Sequence, residues 1–334
     1  TVFFNRNNFL NMKTYNSNVS FSGRREFISK ISLAAAFSLM GTSGIKAGIS
    51  GGKNPNPDQL PETMPSIMLG THRISRLICG SNPFLGYSYL GPHSDRQMKE
   101  YYTTERITEL LLKCEQLGIS AHQSSSRYDY INMLRDRGSK IKVFTLTSGS
   151  ETIDADIENN HPIALVHHGG VTDRLFAEGK LEVVHDYIKA VKDRGILAGV
   201  SAHNPDVIKN IADDGWEVDF FMTCFYYLTR KSDNPEMLPI LPVGGYHFLK
   251  NDPEVMTSVM RQVKQPCLGF KILGAGRLCS NQEYVSSAFK FAFDHIKPTD
   301  GVIVGMFPWY FDEVSANAGY AKELGSIEAR NSHP

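Results

Sequence analysis

From residue 66 to residue 327 this chain alternates short apolar runs with longer stretches of helical periodicity, and that alternation limits its fold more than any other feature. Eight runs read as strands: residues 75–80, 119–122, 142–147, 162–167, 197–201, 218–224, 267–273 and 301–305. They are continuously apolar and β-branched rather than alternating, as expected of strands buried on both faces of a parallel sheet. Between them, residues 106–117 place Ile107, Leu110, Leu111, Cys114 and Leu117 at the i, i+3, i+4 spacing of a helix with one buried face. Residues 181–193, 206–213, 253–263, 281–296 and 312–324 repeat the pattern. Eight strand–helix units predict an α/β protein of the (β/α)₈ or TIM-barrel class. An open doubly wound sheet is the alternative, but no GxGxxG follows the first run.

The region ahead of the barrel reads as an address. Residues 1–11 are an Asn-rich leader before Met12, a candidate start. Arg24, Arg25 and Phe27 then precede the apolar run 31–40 and a small-residue stretch ending at Ala47. Paired arginines, a moderately apolar segment and a small-residue cleavage site form the pattern of a twin-arginine export signal. The apolar run is too short for the roughly 30 Å of hydrocarbon in a membrane, so no stable anchor is expected. The expected organisation is a leader and signal over residues 1–47, a Gly/Pro/Asn-rich linker over 48–65, the barrel over 66–327 and a tail over 328–334. The expected location is periplasmic or otherwise extracytoplasmic, and the export machinery is an expected partner. Lys plus Arg and Asp plus Glu both total 35, so the balanced charge offers no footprint for nucleic acid. Five scattered cysteines make no disulfide framework.

Barrel active sites lie at the C-terminal ends of the strands. Two long connections leave those ends, residues 81–103 and 225–252, each rich in aromatics, and they read either as lids or as a plain roof over the barrel. Polar residues at strand ends are His122, His167, His168, His203 and Lys271. The histidines, with Asp173 or Asp95, could hold a divalent metal, but no HxH or HExxH spacing supports one and no ligand set is assigned. Lys271, inside an apolar run, could serve as a covalent nucleophile or simply pack beside a ligand. Gly274, Gly276 and Arg277 offer N–H groups and a guanidinium suited to a phosphate. Cys224 reads as core.

Three segments in order carry a resemblance. They are 199–205 (Gly-Val-Ser-Ala-His-Asn-Pro), 270–278 (Phe-Lys-Ile-Leu-Gly-Ala-Gly-Arg-Leu) and 304–308 (Val-Gly-Met-Phe-Pro) followed by Glu313, Val314 and Asn317. Together they resemble the fifth-, seventh- and eighth-strand motifs of the aldo/keto reductases, over about residues 70–327. The resemblance implies NAD(P) as cofactor, with Ser201, Gly274, Gly276, Arg277, Gly305 and Asn317 in its binding site. It also implies an Asp, Tyr, Lys and His tetrad, in which Lys and Asp lower the pKa of the proton-donating Tyr. Here the Asp and Tyr positions fall on Gln123 and Tyr128, the Lys position reads Thr147-Ser148, and strand four ends in His167-His168. Asp and Lys are therefore missing, and without the ammonium a tyrosine near pKa 10 is a poor acid. The expected function is an enzyme acting on a small carbonyl or sugar-like substrate through Tyr128, His168, His203 and Lys271. The alternatives are an NAD(P)-dependent oxidoreductase with a rebuilt tetrad and a non-catalytic small-molecule-binding barrel.

Overall fold

In the computed structural model, the residues described are 63–125, 129–230 and 246–326. A two-stranded antiparallel hairpin comes first, β1 (Ser66–Leu69) and β2 (His72–Ser75), with Gly70 in its turn at φ 56°. Eight parallel strands follow: β3 (Leu77–Gly80), β4 (Ala121–Ser124), β5 (Lys142–Thr147), β6 (Ala164–His167), β7 (Leu197–Ala202), β8 (Phe220–Cys224), β9 (Cys267–Phe270) and β10 (Gly301–Gly305). Each pairs with its sequence neighbour, and β10 returns to pair with β3, closing the predicted barrel.

Alternation along the strands divides the apolar residues into two cores. Ile78, Ala121, Phe144, Val166, Phe220, Met222, Leu268 and Ile303 cluster as one, together with Ile67, Leu69 and Ile74 from the hairpin. This is the barrel interior, and the hairpin side chains plug its N-terminal end. Phe144 and Phe220 meet edge-to-face with centroids 5.9 Å apart. Gly199 makes room for them, because a Cβ there would lie 2.7 Å from the Phe220 ring. The second and larger cluster joins the outer strand faces to the helices. Arg76, fully buried between β2 and β3, closes the base of the barrel. It donates to the carbonyls of Asp300 (2.9 Å), Gly325 (2.7 Å) and Lys297 (2.9 Å) and stacks over Phe293.

Some elements depart from the sequence expectation. The first predicted strand divides into β2 and β3, and the hairpin was not anticipated. The long connection 81–103, for which no helix was expected, contains the helix Pro92–Tyr101. None of that helix's residues is fully buried, so it has no apolar stripe to betray it. The helix Gly169–Ala177 opens on two glycines, which are poor helix formers, and was hidden for that reason. The seventh barrel strand ends at Phe270 instead of residue 273, because Lys271 turns into the left-handed region at φ 60°.

Candidate active site

A carboxylate–imidazole pair stands at the C-terminal mouth of the barrel. Ala198, Val200 and Ala202 of β7 pack outward, so Ser201 faces the interior, and His203 follows directly at the strand end. Asp173, on the helix Gly169–Ala177, is almost wholly buried against it. Its Oδ2 accepts from His203 Nδ1 (2.9 Å), His203 N (3.0 Å) and Thr229 Oγ1 (3.0 Å), and its Oδ1 accepts from Asn204 N (3.3 Å). Four donors converge on this one carboxyl group and fix the ring. Since Nδ1–H points at a carboxylate, a neutral His203 carries its lone pair on Nε2. Burial lowers the His203 pKa; hydrogen bonding to Asp173 opposes this, and the charge of Lys271 adds to it. His203 is therefore neutral at pH 7.

His168 has the opposite proton placement. It caps the helix Gly169–Ala177, its Nδ1 accepting from Gly170 N at 3.2 Å. A neutral His168 therefore holds its proton on Nε2, where it can be donated. Its ring is exposed at the mouth. Even so, the surrounding protein lowers its pKa, with the charge of Lys271 adding to this and that of Asp173 opposing it. Gly169 lets the start of this helix pack against His203: a Cβ there would meet Ser201 Oγ at 2.8 Å and His203 Cε1 at 3.3 Å.

Lys271 completes the group. Its half-buried ammonium lies 4.5 Å from the Tyr89 ring centroid and 4.9 Å from that of Phe270. The same Phe270 ring meets His203 edge-on at 5.6 Å. His168, His203 and Lys271, named from the sequence, are thus brought together, while Tyr128 lies outside the described residues. What the sequence did not assign is the role of Asp173, weighed only as a metal ligand, and the aromatic bed of Tyr89 and Phe270. Tyr89 takes a left-handed φ of 56°, a cue invisible to periodicity. A run of exposed aromatics after β10, Trp309, Tyr310 and Phe311, also went unnoticed.

The other two histidines named at strand ends face away from the mouth. His122 is fully buried between the Cys79 carbonyl (2.9 Å) and the Tyr130 hydroxyl (2.8 Å), and burial pushes its pKa down to about 4. His167 turns to Thr172 Oγ1 (2.8 Å) and the Tyr187 ring, and burial lowers its pKa to about 4 as well. Asp95 holds a turn through Ser88 N and Oγ. Among the described residues no group of three or more His, Cys, Asp or Glu is placed to hold a metal. Cys224 is buried, and burial lifts its thiol pKa to about 12.

The segments that resemble a dinucleotide site have their donors committed. The N–H groups of Gly274, Gly276, Arg277 and Leu278 donate within their own turn, to the carbonyls of Lys271, Leu273, Gly274 and Leu273. The Arg277 guanidinium stacks 3.7 Å above Phe248 and donates to the carbonyls of Gly274 and Tyr89. After β10, Phe307 N is taken by Glu313, and residues 306–312 contain no cation. Gly305 is packed under Pro83, whose Cδ a Cβ would meet at 2.7 Å, and Asn317 is buried in the last helix. This donor set does not fit the phosphates of NAD(P).

No family model matches this chain, and no curated protein does. Among solved structures it is similar to an aldo-keto reductase from Bacillus halodurans in its holo form, at 13% identity and a TM-score of 0.49 over 80% of this chain and 94% of that one. A glycerol dehydrogenase from Gluconobacter oxydans matches at 11% identity and a TM-score of 0.49, covering 80% and 93% of the two chains. A truncated 3-deoxy-D-arabino-heptulosonate 7-phosphate synthase from Thermotoga maritima matches at 12% identity and a TM-score of 0.46, covering 80% and 94%. At these identities nothing that those proteins bind or catalyse transfers to this chain.

Proposed function

We propose that this chain is an exported barrel enzyme of aldo/keto-reductase-like lineage that moves protons on a small carbonyl or sugar-like substrate. The observation that carries the reading is the opposite proton placement of two neighbouring imidazoles at the barrel mouth. Nε2 of His203, oriented by Asp173, is free to take a proton from a carbon or hydroxyl of the substrate. Nε2–H of His168 is free to hydrogen-bond the carbonyl oxygen as negative charge builds on it. Both groups are neutral at pH 7 with their pKa values lowered, so each is in the protonation state its role needs. The reaction class is proton abstraction next to a carbonyl, leading to isomerisation or elimination. Export rests on the Arg24-Arg25 signal pattern in residues outside those described.

The test is solvent exchange. Small ketoses and aldoses are incubated with the full chain in D₂O, and loss of the C–H proton signal next to the carbonyl is followed by NMR. His203→Gln and His168→Gln should each slow exchange by about 100- to 10,000-fold while the fold persists. Exchange as fast in both variants as in the parent would remove the proposal.

A further inference from the structure

Among the described residues, the carboxylates at the mouth are each matched to a protein partner. Asp173 is consumed by His203, Asn204 and Thr229. Asp252, on the neighbouring connection, is paired with Arg230 at 2.6 Å and also accepts from Tyr227 N. Asp95 is held by Ser88. Lys271, in contrast, is half-buried and touches only the faces of Tyr89 and Phe270, with no hydrogen bond or ion pair to any described residue. Aromatic faces attract an ammonium but supply no acceptor for its three N–H groups. The backbone holds it there at a cost, since a lysine at φ 60° is in a region that side chains seldom adopt.

We propose that Lys271 binds an anionic group of the substrate, a carboxylate or a phosphate, beside the carbonyl that His203 and His168 work on. The inference rests on the proton-transfer reading of the same site and narrows it to small oxo or hydroxy compounds that carry a negative charge. Phe270 sets the spacing, since the Lys271 ammonium and the His203 ring both lie against it, at 4.9 Å and 5.6 Å from its centroid. A substrate anchored at Lys271 therefore lies against the same aromatic ring that packs on His203. The anion also cancels the charge that, after burial, helps depress both histidines, so binding should raise their pKa values.

The experiment uses the full chain with ¹³C-labelled histidine, following the Cε1–H signals of His168 and His203. The probes are dihydroxyacetone, dihydroxyacetone phosphate, pyruvate and inorganic phosphate. A charged probe should bind about 10- to 100-fold more tightly than dihydroxyacetone, with the advantage shrinking as salt is raised. Which of the two carbonyl-bearing anions binds more tightly separates a phosphate-bearing substrate from a carboxylate. Lys271→Gln should erase the advantage and Lys271→Arg should retain most of it, with circular dichroism confirming that both fold. Equal affinity for charged and neutral probes, or an advantage that survives in Lys271→Gln, overturns the anion site. If dihydroxyacetone still perturbs the histidines in that case, the proton-transfer reading stands without it. If no probe perturbs either histidine, both readings fall.

Discussion

Replacing Asp173 with Asn tests the site at its support. The carboxylate accepts from His203 Nδ1, His203 N, Asn204 N and Thr229 Oγ1 at 2.9–3.3 Å, in a nearly water-free position. An amide keeps one acceptor oxygen and turns an NH₂ group toward the remaining donors, so about half of those bonds are lost. Hydrogen bonds to a charged group are worth about 1.5–3 kcal/mol each, which puts the loss of two near 3–6 kcal/mol. For a barrel of this size that lowers Tm by roughly 6–15 °C. The chemical effect is of similar size. An amide NH₂ facing Nδ1 makes that nitrogen the acceptor and moves the ring proton to Nε2, so the base arrives already protonated. Exchange should slow by about 100- to 10,000-fold, or about 3–5 kcal/mol of barrier. Loss of the carboxylate also removes the two influences that raise the His203 pKa, so the acid limb of any residual pH profile should move to lower pH. The assay pairs deuterium exchange with ¹⁵N shifts of the His203 ring, which report the tautomer directly. Unchanged exchange together with an unchanged tautomer would refute the role given to Asp173.

Further outcomes are expected. Arg76→Met should cost about 3–5 kcal/mol in denaturant unfolding, because three buried carbonyls lose a charged donor; a loss under 1 kcal/mol would mean that the base of the barrel closes without it. Gly199→Ala should cost about 1–3 kcal/mol, since its methyl would press within 3.0 Å of the Phe220 ring. His122 and His167 have folded pKa values near 4 against a reference of 6.5, so protons favour the unfolded chain. Each should contribute roughly 3 kcal/mol of stability that is intact above pH 6.5 and lost as pH falls to 4; a flat stability curve across that window would contradict their burial. Changing Arg24 and Arg25 to lysine should leave the protein in the cytoplasm on fractionation, whereas unimpaired export would remove the twin-arginine reading.

The barrel was legible because its eight strands are buried on both faces and therefore appear as unbroken apolar runs. Elements that bury little were not legible. The helix Pro92–Tyr101 lies on the surface without an apolar stripe, and the hairpin strands β1 and β2 are only four residues each. At the site, sequence position identified His168, His203 and Lys271, since strand ends point to the mouth. It could not tell His167 from His168, because one residue's difference in a strand turns a side chain from the interior to the helix layer. Nor could it show that Asp173, thirty positions before His203, shares hydrogen bonds with it, or that the donors of the 274–278 turn are spent on one another.

Arg76 has a consequence for how the molecule could be handled. Its backbone N–H donates to the Pro65 carbonyl at 2.7 Å, and its side chain grips Gly325, so both ends of the described polypeptide are gathered on the face opposite the C-terminal mouth. The seam of the ring is thus remote from the opening. A short bridge between those ends, with a new cut in a surface turn such as that at Gly195, would give a circular permutant whose C-terminal mouth keeps every one of its neighbours. Attached to a surface by that seam, the barrel would stand with its opening toward the solution.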